Sequence, residues 1–172
     1  IDSYNYFSIK PKIFENKEYL KFNNFLSNLG GISICIHLCF AYFISAIHKI
    51  HADVWFNGVA TYYTLSLERF RGTSYNLTLA KNALFVTFST YGTILIELFY
   101  PALVWFNRTK KTMIFLAIIL HISIYVFMMI YDFQLVFIFV QGFFISNTNW
   151  LNFYEKMKMK INKYGKQTYN LH

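Results

Sequence analysis

"GGISICIHLCFAYFISAIH", residues 30–48, runs its whole length without an Asp, Glu, Lys or Arg. As a helix, about 19 residues at 1.5 Å each cover about 29 Å, the thickness of a bilayer's hydrocarbon core. On either side the pattern changes. Upstream, "FENKEYLKFNNFL" (14–26) mixes basic residues with apolar ones near helical spacing and predicts an interfacial helix within a basic segment, 1–28. Gly30-Gly31 then opens the span. Downstream, "VATYYTLSLERF" (59–70) is amphipathic and too polar to cross, and "RGTSYN" (71–76) reads as a turn.

Three more apolar runs follow: 82–106, 112–131 and a shorter one at 133–146 that contains Gln134 and Gln141. The predicted fold class is all-α: a polytopic membrane protein of about four transmembrane helices with interfacial amphipathic helices. The domain expectation is a membrane unit at 29–150 between the basic segment and a basic tail at 151–172. Composition agrees. Only 14% of the 172 residues are charged, against about a quarter in a soluble domain. No charged n-region followed by a short apolar h-region opens the chain, so no signal peptide is expected.

The net charge of +8 raises nucleic acid as a partner, but its distribution argues for topology. Twelve of the sixteen Lys and Arg flank apolar runs in three groups. These are Lys10, Lys12, Lys17 and Lys21; then Arg108, Lys110 and Lys111; then Lys156, Lys158, Lys160, Lys163 and Lys166. With four spans, all three groups share one side if both termini are cytoplasmic. The expected partners are therefore membrane lipids, with anionic head groups near the tail "YEKMKMKINKYGK", and no nucleic acid. Cys35 and Cys39, the only cysteines, stand one helical turn apart in the first span and read as packing residues. No metal site is expected.

The chemistry-bearing residues are few. Glu97 lies within the second span, where an unpaired charge costs about 2.5–3.5 kcal/mol on insertion scales. Pro101 follows it by four residues and cannot donate to its carbonyl. His121 is deep in the third span and His37 in the first; either can serve as an interhelical hydrogen bonder. At the exit of the first span, Lys49 stands between His48 and His51, followed by Asp53 and Trp55. A lysine there ordinarily snorkels to the interface. Cationic neighbours and an apolar wall would instead favour a neutral amine able to act as a base.

Three of these stretches resemble the HTTM domain, the membrane domain shared by vitamin K-dependent gamma-carboxylases and bacterial relatives. "KIHADVWFNGVATYY" (49–63) resembles its lysine-bearing Trp-x-x-Gly-x-Ala-x-x-Tyr segment. "IELFYPALVW" (96–105) resembles its Glu-x-x-x-Pro element, and "AIILHISIYVFM" (117–128) its histidine-bearing helix. The likeness covers about residues 33–147. Its flavour is closest to the bacterial branch that matures a sporulation-delaying peptide toxin.

The resemblance implies the C-terminal part of an HTTM unit in a bacterial inner membrane. It implies Lys49 as catalytic base, joined by His121. Glu97, His48, His51 and Trp55 would be binding residues, and the ligand a quinone-like lipid or a peptide substrate. The reading from residues alone leaves a rival open: a non-catalytic structural subunit packed against other membrane subunits in a larger complex.

Overall fold

The computed structural model describes residues 17–145, 150–151 and 154–159. The expected basic segment up to residue 16 and the tail beyond 159 lie outside the described residues. Every regular element among the described residues is helical, with no strand. Three helices are long and apolar enough to cross a membrane: α1 (Lys17–Ile50), α5 (Ala83–Leu103) and α6 (Asn107–Met128). Between α1 and α5 lie three short helices: α2 (Asp53–Phe56), α3 (Ala60–Ser66) and α4 (Asn76–Ala80), with a 3-10 turn at Glu68–Phe70. After α6 come α7 (Tyr131–Val140) and a second 3-10 turn, Gln141–Phe144.

Two expectations need correction. The interfacial helix and the first span are one helix. α1 has 34 residues, about 51 Å, and runs unbroken through Gly30-Gly31. Each glycine costs a helix interior about 1 kcal/mol, too little to break one whose flanks are both helix-forming.

The expected fourth span, 133–146, is not a crossing helix. The ten residues of α7 and the four of the 3-10 turn cover roughly 23 Å. Gln134 and Gln141 of this segment are drawn into the protein, 3% and 1% exposed, where both are hydrogen-bonded. Among the described residues there are thus three candidate spans and not four.

The core sits on one stripe of α1. Cys35, Leu38, Cys39 and Tyr42 pack against Tyr100 and Val104, Met113, Ile114 and Ala117, with Phe144 closing the cluster. Both cysteines are free and buried, as their spacing implied. Tyr42 stacks on Tyr100 at 4.4 Å while Lys49 meets Glu97, so α1 and α5 run antiparallel.

Loop chemistry fixes the helix ends. Asn82 caps α5 by accepting from the Phe85 amide at 3.1 Å. α6 stops at Met129, which takes a left-handed conformation (φ 55°). The freed carbonyl of Phe127 accepts from the Gly72 amide at 3.0 Å and from Asn76 Nδ2 at 2.7 Å. Asn76 is fully buried and also accepts from Thr73, so the 70–76 loop grips the end of α6. A Cβ on Gly72 would run into the carbonyl oxygen of Val126, which is why glycine stands there.

α1 ends well short of the Ala83 end of α5. Glu97 lies 14 residues, about 21 Å, from Ala83, yet its partner Lys49 is one residue from the end of α1. The short helices fill the space above. Thr61 on α3 bonds Thr90 through both its amide (3.1 Å) and its hydroxyl (2.9 Å), and Ser89 donates to Thr61 at 3.0 Å.

Candidate functional site

Lys49 does not snorkel outward. Side chains on an α-helix lean toward its N-terminus. Lys49 follows that lean back into the bundle, reaching Ser45 Oγ one turn earlier at 2.5 Å. Its Nζ also lies 2.8 Å from Glu97 Oε1 and 2.7 Å from Oε2. An ammonium has three donors, and these three oxygens match them. The Trp55 ring lies over the same nitrogen, 5.1 Å from centroid to Nζ. The two side chains keep only 18% and 9% of their surface. Such a pair offsets the desolvation of two charges only by close contact and further hydrogen bonds. The bifurcated carboxylate contact, Ser45 and Trp55 supply them.

One helical turn deeper lies a chain of neutral groups. The Tyr100 hydroxyl donates to Gln141 Oε1, and Gln141 Nε2 donates to the Tyr42 oxygen at 2.9 Å. The Tyr42 hydroxyl then has its proton free for His121 Nε2 at 2.7 Å. His121 Nδ1 is left to donate to Gln134 Oε1. This sequence of donors fixes His121 as a neutral imidazole with its proton on Nδ1. Among the described residues no buried side-chain polar atom lacks a partner.

The residues predicted from sequence therefore separate. Lys49, Glu97 and Trp55 form one cluster. His121 is buried, 5% exposed, in the adjoining chain. The Lys49 ammonium and the Glu97 carboxylate are within electrostatic reach of His121 and Tyr42 respectively. His48 and His51 do not join. Both are exposed, and His51 Nδ1 bonds back to the carbonyl of Ile47 at 2.8 Å. The expected cationic surround of Lys49 is thus replaced by an anionic one, because the ε-ammonium is turned away from both imidazoles. His37 and Asp132 are exposed too.

Sequence reasoning passed over Tyr42, Ser45 and Tyr100 as site residues. The signal was there: Tyr42, Ser45 and Lys49 stand at i, i+3 and i+7, one helical face, and Glu97 and Tyr100 at i and i+3.

Chemically, the arrangement can carry a proton. Moving one proton from Nζ to a carboxylate oxygen turns ammonium and carboxylate into amine and carboxylic acid, with no change in net charge. The pair can then take a proton at one group and give it at the other. No family model matches the chain, and no similar curated protein or solved structure was found.

Proposed function

We propose that this chain is a membrane-embedded enzyme or enzyme subunit whose Lys49–Glu97 pair moves protons of a substrate held in the bilayer. The observation that carries the reading is the contact of Nζ with both carboxylate oxygens, at 2.7 and 2.8 Å, inside the membrane-spanning part. Intramembrane ionisable residues are expensive and mark proton or substrate paths by default. The resemblance to HTTM proteins supports the same lysine as base and a quinol-like lipid or a peptide as substrate. On this reading Lys49 is the base, Glu97 takes the proton displaced from it, and His121 holds Tyr42 in place. The proposed setting is a bacterial inner membrane with the N-terminus and the Arg108, Lys110 and Lys111 turn on the cytoplasmic side; a cytoplasmic C-terminus as well would need the fourth crossing that α7 does not make.

The non-catalytic reading has an observation of its own. α7 is too short to cross, and its flank of Phe133, Val136 and Phe139 is exposed, as a helix packed on a partner subunit would be.

One experiment separates them. The protein in nanodiscs is given a naphthohydroquinone, and its oxidation by dissolved oxygen, which proceeds through the deprotonated quinol, is followed by absorbance. A positioned base is worth on the order of 10²-fold or more, so the native chain should accelerate the reaction by about that factor over empty discs. Lys49→Arg keeps the charge but cannot supply a neutral amine, and should fall to background. An Arg variant as active as the native chain would make the lysine an anchor and leave the structural-subunit reading ahead.

A further inference from the structure

The Lys49–Glu97 pair is covered on one side by a segment that is lightly held. α2, Asp53–Phe56, has four residues, none buried, and no side-chain cap. Its Trp55 is half-buried and lies over Lys49. Its hydrogen bond to α5 is the one that the Tyr91 hydroxyl donates to the carbonyl of Phe56, at 2.8 Å. It ends at Gly58, whose φ of 72° is left-handed and whose added Cβ would lie 2.9 Å from the Tyr91 ring. A β-carbon there would be strained by conformation and would push the Tyr91 ring aside.

The depth of this segment decides what lies outside it. Tyr91, its latch, is eight residues from Ala83, so it lies about 12 Å along α5. α5 is about 32 Å long and matches the hydrocarbon thickness, so a bilayer centred on α5 brings its lipid chains up to the apolar edge of the segment. Its outward groups fit a boundary: Val54 is 40% and Phe56 70% exposed, and Phe88 on the neighbouring turn of α5 is 79% exposed, while Asp53 and Asn57 are exposed as well and suit the head-group side.

We infer that Asp53–Gly58 is a flap carrying Trp55, and that it admits an amphiphile laterally, from the leaflet at the Ala83 end of α5, to the Lys49–Glu97 pair. The inference rests on the proposed function for its purpose and adds the route and the ligand class. The ligand has an apolar tail that stays among lipid chains. Its head is aromatic or anionic, and replaces the Trp55 ring over the ammonium. Trp55 holds the empty site closed by its cation–π contact, and Tyr91 latches it. Gly58 provides the turn on which the flap moves.

The test reads access to Glu97 without any turnover, so the flap and the proposed catalysis can fail separately. A carbodiimide takes up a carboxylate oxygen at its central carbon while a proton passes to its nitrogen, giving an O-acylisourea. An amine next to it then displaces the urea and forms an amide. The net change consumes one ammonium, one carboxylate and one carbodiimide, and yields one amide and one urea. The rate of Glu97 modification in nanodiscs is measured by peptide mass spectrometry with a lipid-soluble and a water-soluble carbodiimide.

Trp55→Ala should raise the lipid-soluble rate roughly threefold to thirtyfold, the range that loss of one cation–π contact spans. Trp55→Phe keeps a ring and should stay nearer the native rate. Tyr91→Phe, which loses only the latch bond, should raise the rate as well. Leu84→Ala, on the exposed side of α5, should not. Unchanged rates in both Trp55→Ala and Tyr91→Phe, with native helix content, would overturn the flap. An equal gain with the water-soluble reagent would overturn the lateral route.

Discussion

Replacing Glu97 by leucine alone is expected to cost about 3–5 kcal/mol of folding stability, because it strands the Lys49 ammonium inside the protein. Lys49→Met should cost a similar amount by stranding the carboxylate. The double variant, Lys49→Met with Glu97→Leu, should recover most of the loss, since apolar groups of similar volume replace a buried pair at little cost. The contact geometry sets this expectation: Nζ lies within 2.8 Å of both carboxylate oxygens, and both side chains are less than a fifth exposed. An exposed pair would show about 1 kcal/mol at most. Reversible unfolding in mixed micelles reads the four proteins of this cycle. Single variants within about 0.5 kcal/mol of the native chain would place the pair in water, and a double variant equal to the sum of the singles would show no coupling.

Tyr42→Phe should lose roughly 2–6 kcal/mol, the sum of two buried groups left without partners at about 1–3 kcal/mol each. The Tyr42 oxygen both accepts, from Gln141, and donates, to His121. Phenylalanine keeps the ring stacked on Tyr100, so the variant isolates the hydroxyl. Gln141→Leu strands the Tyr100 hydroxyl and takes the donor from the Tyr42 oxygen, so it should cost a comparable amount. Both are read by the same unfolding titration. A loss for Tyr42→Phe below about 0.5 kcal/mol would mean that the hydroxyl does not join the two halves of the chain.

These expectations mark where the sequence stops being informative. The apolar runs at 30–48, 82–106 and 112–131 were legible because burial in lipid demands length and apolarity, and both are local properties. The run at 133–146 was equally apolar, but its fate depended on Gln134 and Gln141 finding partners on α1, α5 and α6, which no local pattern reveals. The merging of the N-terminal amphipathic stretch with the first span is a matter of small energies at Gly30-Gly31, below what composition resolves.

The site was half legible. Lys49, Glu97, His121 and Trp55 stood out as costly or well-placed residues, and the structure gathers three of them directly. The direction of the Lys49 side chain was not readable. An outward path beside His48 and His51 and an inward path to Glu97 begin from the same Cα. The choice is made by a carboxylate 48 residues away.

The central claim is that Lys49 turns inward and is held against Glu97, and a zero-length cross-link tests it most directly. Membranes holding the native chain are treated with a lipid-soluble carbodiimide, digested and analysed by mass spectrometry. An amide between Lys49 and Glu97 should appear as a joined pair of peptides one water lighter than their sum, and should be absent from Glu97→Gln. Recovery of Glu97 only as its N-acylurea, together with a Lys49 that reacts freely with a water-soluble amine reagent, would contradict the account.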